Sequence, residues 1–269
     1  CERTMTPEQI YQAFHAARTA ARPLAAYPGN TVPATLAEGH AIQAASIAAW
    51  SDQVVGWKVA AIQPQWRAAY PAERLGGPVF ARSLQMAGVD AVDVHIIEGG
   101  YAAAEAEFAL RLGADFPMRA SFVSVEELQP FVAAVHAAIE LAGSPLPTLS
   151  SLGPGAVLSD FGNNTGLVIG PELPDFFGRD GAGWLSETAV NGQLVGNGSA
   201  ERIPGGPLAA LLFLANDLVA RGLTLRPGDW VSTGASTGIH VLAVGDTVAA
   251  RFDGKPAITL RVCAAQPAR

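Results

Sequence analysis

The chain has 269 residues, of which 49% are hydrophobic and 15% are charged, so it can bury the core of a folded globular protein. Its net charge of −7, without any basic cluster, argues against a nucleic-acid partner. No apolar run reaches the ~18 residues that span a bilayer, and none resembles a secretory signal. The two cysteines form no metal-binding motif. We therefore expect a cytoplasmic protein with no membrane partner, although Cys1, ahead of Met5, is either a non-native residue or a processed lipoprotein end.

Two helices are predicted near the N-terminus. The capping-box pattern Thr6–Gln9 predicts a helix that runs to about Arg22. The same pattern at Thr35–Glu38 predicts a second helix that ends near Trp50. Together they predict a helical cap over residues 1–53.

The first predicted strand, Val54–Ile62, contains an unusual lysine. The chain uses fifteen arginines but only two lysines, Lys58 and Lys255. Lys255 lies in a turn-like DGKP sequence, whereas Lys58 lies among apolar residues. Lysine is the cation whose pKa responds most readily to burial, so Lys58 is a candidate for proton transfer. The alternative is a lysine that buries its stem and keeps its ammonium in water.

The segment 63–84 has no clear periodicity. It combines aromatic residues with Gly76, Gly77 and Arg82, a composition that suits a loop covering a substrate. A plain connection between two elements has the same composition, and both interpretations stay open at this point.

A strand predicted at Tyr101–Leu112 carries Glu105 and Glu107. Side chains at i and i+2 of a strand point to the same face, about 7 Å apart, so these carboxylates can converge on one hard cation. Their neighbours are alanine and phenylalanine, which predicts burial, and a buried carboxylate must be paired, hydrogen-bonded or metal-bound. The alternative is a solvated strand edge with two harmless glutamates.

The rest of the chain predicts mostly short strands. A helix is expected from Ser124 to about Val135, followed by a short strand over 137–143 that carries Glu140, and a clear helix covers Pro207–Arg221. Further strands are predicted at Leu167–Ile169, Gln193–Val195, Trp230–Thr233, Thr247–Phe252 and Ala257–Val262. The fold class is therefore α+β.

Several motifs together resemble the fumarylacetoacetate hydrolase superfamily. They are GWK at 56–58, EAE at 105–107, Glu140, and the segments DFGNNTGLVIG, LTLRPGD and VSTGASTG. Within the superfamily, the chain is most similar to the branch of 2-oxopent-4-enoate hydratases and 4-oxalocrotonate decarboxylases. The resemblance implies a helical cap followed by a mixed, mostly antiparallel, rolled β core that forms a catalytic domain over residues 54–269.

The resemblance also implies a divalent cation, Mg²⁺ or Mn²⁺, held by Glu105, Glu107 and Glu140. Three carboxylates suit an octahedral hard cation, and no histidine or cysteine lies within three residues of these positions in sequence, which argues against zinc. For Glu140, the alternative is a place at the exposed end of a surface helix.

The activity that the resemblance favours is hydration of a 2-hydroxy-2,4-dienoate to a 4-hydroxy-2-oxo acid in aromatic catabolism. The cation would stabilise enolate charge on the 2-oxygen, and Lys58, with its pKa drawn toward neutrality, would transfer the proton. The other residues assigned to the site are Asp160 for catalysis and Arg82, Ser236, Thr237 and His240 for substrate binding. The remaining helical histidines, His15, His40 and His136, are expected to be structural.

Two departures from the family pattern keep other activities open. The sequence has Val79–Ala81 where the hydratases commonly carry an aspartate, and Leu141–Ser144 where the family often reads VDSR. The alternatives are a decarboxylase of a 4-oxalocrotonate-like acid, with Arg82 binding the distal carboxylate, a C–C hydrolase of a diketo acid, and a non-catalytic partner subunit. The family also implies a homo-oligomer, in some pathways complexed with another enzyme.

Overall fold

A computed structural model describes residues 5–29, 31–118 and 120–268 of the chain, and the predicted α+β class is confirmed. Predictions about Cys1 lie outside the described residues. The α-helices in these ranges are α1 (Pro7–Thr19), α2 (Leu36–Ala49), α3 (Val125–Leu128), α4 (Pro154–Ser159) and α5 (Gly206–Ala220). The strands are β1 (Val54–Ala61), β2 (Arg74–Phe80), β3 (Leu84–Met86), β4 (Val92–Ile96), β5 (Tyr101–Leu112), β6 (Val132–Ser144), β7 (Asn164–Glu172), β8 (Leu185–Val190), β9 (Gln193–Ser199), β10 (Trp230–Ala235), β11 (His240–Val241), β12 (Thr247–Phe252) and β13 (Lys255–Ala264).

Two sheets make up the β core. The larger has the order β2-β1-β10-β5-β6-β7-β3, with β11 also paired to β5, and the smaller has the order β4-β13-β12-β8-β9. Most neighbouring strands are antiparallel, whereas β1–β10, β3–β7 and β4–β13 are parallel. The main hydrophobic core includes Phe108 of β5, Ile139 of β6, Leu214 of α5 and Leu260 of β13.

Both N-terminal helices begin where the capping boxes predict. The side chains of Thr6 and Thr35 each accept a hydrogen bond from the backbone N–H three residues later. Ile10, Phe14 and Ile42 from these helices form a small core of their own with Leu146 and Leu149, which follow β6. The division into a cap (1–53) and a catalytic domain (54–269) stays a prediction.

The segment 63–84 contains a core strand, so neither of the two interpretations left open, a covering loop or a plain connection, describes its second half. Every residue of β2 is buried, and the strand pairs with β1 along its whole length. Gly76 and Gly77 are unusual in a strand, so the sequence did not predict β2. The fold nevertheless requires glycine at position 77. A Cβ on Gly77 would lie 2.3 Å from the backbone oxygen of Phe161, so only glycine allows the two backbones to approach this closely.

The helix predicted from Ser124 to Val135 is also shorter than expected. Helix α3 ends at Leu128, and β6 begins at Val132, directly after a 3₁₀ turn that contains Pro130. His136 consequently lies in a strand rather than a helix; its Nδ1 is 3.0 Å from the Gly170 oxygen. Among the described residues, no helix is both long enough and apolar enough to cross a membrane.

Candidate metal centre and cavity

Neighbouring strands of the larger sheet place the candidate site residues on one face. Lys58 of β1 pairs with Ser232 of β10, which pairs with Ala109 of β5. Glu107 and Glu105 lie two and four residues before Ala109, so they share its face, and Glu105 is paired directly with Glu140 of β6. The alternation of a strand therefore gathers all three glutamates and Lys58 on the same side of the sheet.

Curling of this sheet closes the site. Strands β1 and β6 are three positions apart, which in a flat sheet would separate them by about 14 Å. Nevertheless, the Lys58 Nζ lies 3.0 Å from the Glu140 Oε1, and both side chains are almost fully buried. The face that carries the charged side chains is thus the concave, interior face.

The three glutamates converge as a potential metal-binding cluster. One carboxylate oxygen from each of Glu105, Glu107 and Glu140 lies within 4.8 Å of the other two. Glu107 and Glu140 are completely buried, and Glu105 is 8% exposed. The two alternatives considered for these glutamates, a solvated strand edge and an exposed helix end, are therefore wrong.

Hydrogen bonds fix two of the carboxylates and leave one oxygen of each free. The Glu107 Oε2 accepts bonds from the Ser232 hydroxyl and the Gly234 backbone N–H, and the Glu140 Oε1 accepts one from the Asn164 side-chain amide at 3.1 Å and one from Lys58. The opposite oxygens, Glu107 Oε1 and Glu140 Oε2, have no partner among the described residues. Buried carboxylate oxygens without a donor are costly, and a divalent cation would satisfy them. The residues therefore fit the implied metal.

Burial and mutual repulsion perturb the acid–base properties of the cluster. Burial, together with the neighbouring Glu140, raises the pKa of Glu105 from 4.5 to about 7. The same causes raise the pKa of Glu107 well above its usual value. Burial alone would lower the pKa of Lys58, but the surrounding glutamates, with Glu140 foremost, raise it overall. This direction differs from the expected shift toward neutrality, because the lysine meets carboxylates and not only apolar atoms.

A cavity of about 380 Å³ adjoins the metal centre, and Lys58 and Glu105 both line it. Two further cations, Arg74 of β2 and Arg202, also line the cavity; the sequence analysis did not identify either of them. Arg202 and Pro204 belong to the connection between β9 and α5, and the Arg74 guanidinium donates to the Pro204 carbonyl. The cavity wall therefore combines the carboxylate of Glu105 and the ammonium of Lys58 with two arginine side chains.

Three polar residues in the cavity wall also escaped the sequence analysis. Tyr101, Ser150 and Asn163 line the cavity; the Asn163 amide lies 3.4 Å from the Ser150 hydroxyl, which also bonds to Tyr101. Asn163 has a left-handed backbone, with φ of 65°, as does Phe161. Two nearby non-glycine residues in this conformation mark a strained segment, but such strain has no sequence signal apart from an asparagine.

Asp160 and Arg82, both predicted for the site, do not line the cavity. Both oxygens of Asp160 are engaged by Arg18 of α1, at 2.6 and 2.9 Å, and Ser144 donates a further bond at 2.6 Å. Arg82 lies on the surface, where its side chain is 73% exposed and contacts Asp52. Asp160 therefore anchors the N-terminal helix, and Arg82 is not placed to bind a substrate carboxylate in this cavity.

Ser236, Thr237 and His240 connect the two sheets instead of lining the cavity. The Ser236 hydroxyl bonds to the Ser186 hydroxyl of β8, and the Thr237 hydroxyl bonds to that of Thr188, each at 2.8 Å. His240 is within 3.2 Å of the Thr237 hydroxyl. Their backbone neighbours Gly234, Gly238 and Ile239 line the cavity, so the motif contributes through its backbone turn rather than through the predicted side chains.

The sequence of the chain matches the model of the fumarylacetoacetate hydrolase C-terminal family over residues 69–263. The chain belongs to this family. The match includes β5, β6 and β10, which carry the carboxylates and their hydrogen-bond donors, but it begins after Lys58.

Individual relatives and solved structures are similar to different extents. The chain is 32% identical to a 4-oxalocrotonate decarboxylase of Pseudomonas putida over 106 residues, which are 39% of this chain and 40% of the relative. The alignment thus spans less than half of that curated relative. Two structures of the 4-oxalocrotonate decarboxylase from Pseudomonas putida G7, one with calcium and acetate and one with magnesium and adipate, superpose with TM-scores of 0.77 and 0.76 at 21% and 20% identity. Each covers 97% of this chain and 100% of the other, which shows a shared fold.

The raised carboxylate pKa values predict a pH-dependent stability for the metal-free protein. A group whose pKa is higher in the folded state stabilises the fold below its unfolded pKa, and this contribution is lost as pH rises through the folded value. For Glu105 the loss falls between pH 4.5 and about 7. We expect the free energy of unfolding of EDTA-treated protein, measured by urea titration, to fall over this pH range. Addition of about 5 mM Mg²⁺ at pH 8 should restore the lost free energy of unfolding.

A Glu105→Gln variant is the control for this measurement. It removes one titrating group, so the pH dependence of the metal-free variant should be flatter than that of the unaltered protein. If the free energy of unfolding falls equally steeply with pH in both proteins, Glu105 is not the group whose raised pKa causes the loss.

Proposed function

We propose that the protein is a divalent-metal-dependent lyase that decarboxylates a 2-oxo dicarboxylic acid similar to 4-oxalocrotonate. The observation that carries this proposal is a single cavity lined by Lys58, by Glu105 of the glutamate cluster, and by Arg74 and Arg202. A 2-oxo dicarboxylic acid has two anionic ends, and the cavity offers a separate charged region for each. The decarboxylase relatives support the same choice, which reverses the order that the sequence alone favoured.

Glu105, Glu107 and Glu140 would hold the cation, which we propose to be Mg²⁺ or Mn²⁺. When bound, such a cation acts as a Lewis acid that stabilises negative charge on the 2-oxygen of a 2-oxo acid. The chain itself keeps the oxygens in place: Ser232 and Gly234 hold Glu107, and Asn164 holds Glu140. Because these donors are already arranged, little reorganisation accompanies the reaction.

Lys58 is the proposed proton donor. In decarboxylation, the bond to the distal carboxylate breaks, carbon dioxide leaves, and its electron pair passes along the conjugated chain toward the 2-oxygen. The resulting enolate accepts a proton to become a 2-hydroxydienoate. Lys58 lines the cavity with a buried ammonium group, so it can stabilise the developing negative charge and deliver a proton. Its hydrogen bond to Glu140 fixes where that ammonium points.

Arg74 and Arg202 are proposed to select a substrate with a second carboxylate. Arg74 is paired through the backbone with Ala61, three residues beyond Lys58 along β1, so about 10 Å of strand separates the two positions. An odd offset gives the two positions opposite faces of the strand, but both residues line the same cavity. A six-carbon dicarboxylic acid together with two cationic side chains can bridge this separation. Arg74 is buried, which strengthens its attraction for an anion.

Hydration of a 2-hydroxydienoate is the second candidate function. The polar wall formed by Tyr101, Ser150 and Asn163 favours it, because hydration requires a water or a hydroxyl to be held beside the apolar chain of the substrate. The glutamate cluster and Lys58 would serve both reactions, since both pass through the same enolate.

One assay separates these functions. With Mg²⁺ and 4-oxalocrotonate, a decarboxylase releases carbon dioxide and accumulates the ultraviolet absorbance of the dienol. With Mg²⁺ and 2-hydroxypenta-2,4-dienoate, a hydratase removes that absorbance faster than buffer does. We expect carbon dioxide release that EDTA abolishes and Mn²⁺ restores. Dienol loss without carbon dioxide release would favour the hydratase, and no turnover of either compound would favour a non-catalytic subunit.

Replacing Lys58 should separate catalysis from metal binding. We expect Lys58→Met to reduce kcat at least 100-fold, about the contribution of a positioned acid, while Mn²⁺ still binds with one site in calorimetry. A kcat close to that of the unaltered protein would remove Lys58 from the proposed mechanism. Loss of Mn²⁺ binding would instead assign it a role in organising Glu140.

Replacing Arg74 should test the second anionic site. We expect Arg74→Met to raise the KM for 4-oxalocrotonate about 10- to 100-fold, the effect of losing a hydrogen bond between charged groups, and to leave pyruvate binding unchanged. Arg82→Met is the matched control, because Arg82 is exposed outside the cavity and should leave KM unchanged. An effect of Arg82→Met equal to that of Arg74→Met would contradict the assignment.

A further inference from the structure

A β-bulge in the sheet determines how Glu140 is held. Strands β6 and β7 are antiparallel, with Glu140 opposite Leu167 and Leu141 opposite Gly166. The next pair is Ala142 opposite Asn164, so Thr165 is an extra residue without a partner position. The bulge lies opposite Ala142, two residues after Glu140 on β6.

The extra residue changes the side of the sheet on which Asn164 lies. Ala142 follows Glu140 by two residues, so both point to the same face, and Asn164 joins them as the cross-strand partner of Ala142. Without the extra residue, Asn164 would face Gly143 and its side chain would point away from Glu140. The bulge therefore allows the Asn164 amide to donate to the Glu140 Oε1 at 3.1 Å.

Arg18 of helix α1 clamps this bulge. Its Nη2 donates to the backbone oxygens of Gly143, at 2.9 Å, and Asn164, at 3.2 Å, which lie on the two strands at the interruption. Its Nη1 lies 3.5 Å from the Thr165 hydroxyl. The same guanidinium is held by both oxygens of Asp160, so its orientation is fixed from the other side.

We propose that Arg18 is a positioning residue of the metal centre, acting through the bulge and Asn164 on Glu140. The inference rests on the proposed metal-binding role of the glutamates. By fixing the carbonyl of Asn164, Arg18 keeps its side-chain amide on the Glu140 Oε1, which leaves the Oε2 of this cluster member without a hydrogen-bond donor among the described residues. An N-terminal helix, outside the matched family region, thus supports a carboxylate deep in the sheet.

Lysine cannot reproduce this arrangement, which makes Arg18→Lys the informative substitution. A lysine ammonium keeps the charge opposite Asp160, but its single nitrogen cannot span two carbonyls and both carboxylate oxygens. We expect EDTA-treated Arg18→Lys to bind Mn²⁺ at least tenfold more weakly in calorimetry, the usual effect of losing a group that orients a metal ligand. Asn164→Ala should have an effect of similar size.

A double variant tests whether the two residues act in series. If Arg18 acts through Asn164, Arg18→Lys combined with Asn164→Ala should bind Mn²⁺ no more weakly than the poorer of the two single variants. If the loss of Mn²⁺ affinity in the double variant equals the product of the losses in the two single variants, the proposal is contradicted. Should Arg18→Lys fail to fold, Arg18→Gln with Asp160→Asn leaves no buried charge unpaired and should show the same loss of Mn²⁺ affinity.

Phe14→Leu is the matched control for helix docking. Phe14 is fully buried in α1 and belongs to the small core around Leu146, and its side chain makes none of the hydrogen bonds to the bulge. It should lower the melting temperature and leave Mn²⁺ affinity unchanged. If Arg18→Lys also lowers the melting temperature without changing Mn²⁺ affinity, Arg18 only anchors the helix. In that case the inference about Arg18 fails, but the proposed metal centre is not contradicted. If the unaltered protein binds no Mn²⁺, the proposed metal centre fails as well.

Discussion

Repulsion among three carboxylates on one buried face is the constraint on which the site depends. Glu105 and Glu140 are direct cross-strand partners, an arrangement that destabilises a sheet when both are charged. Glu107 adds a third carboxylate on the same face, and burial removes the water that would screen them. Lys58 supplies one compensating charge, and the two oxygens that lack donors leave room for a second. The metal-free centre therefore has an excess of negative charge when all three carboxylates are ionised, which is why the pKa values of Glu105 and Glu107 are raised.

The surrounding fold keeps this unfavourable cluster in place. The curl of the larger sheet brings Lys58 across to Glu140, and donors on neighbouring strands fix one oxygen of Glu107 and one of Glu140. Each fixed carboxylate leaves its second oxygen without a hydrogen-bond donor among the described residues. A flat sheet with the same residues would leave the lysine too far away, so the curvature is as important to the site as the identity of its residues.

The parts that the sequence predicted are those governed by local rules. Alternation along β5 was enough to place Glu105 and Glu107 on one face, and the capping boxes located both N-terminal helices. The errors arose where tertiary contacts decide. The glycines of β2 indicated a loop, because the close approach of Gly77 to Phe161 cannot be read from spacing. Likewise, no local pattern shows that Asp160 pairs with a helix 142 residues away in sequence.

Side chains at the far end of the cavity were missed for the same reason. Arg74 reaches it from an unpredicted strand, and Arg202 from a connection without regular periodicity. The three glutamates could be assigned because the family resemblance implies them, whereas Arg74 and Arg202 reach the cavity through packing that is particular to this chain.

The location of Arg202 and Pro204 on a connection has an evolutionary consequence. This connection joins β9 to α5 and contributes no carboxylate to the cluster. Insertions or exchanges there can reshape one end of the cavity while the strands that carry the glutamates stay unchanged. For the proposed decarboxylase, substrate preference can therefore diverge through changes in this connection while the glutamate cluster is inherited unchanged.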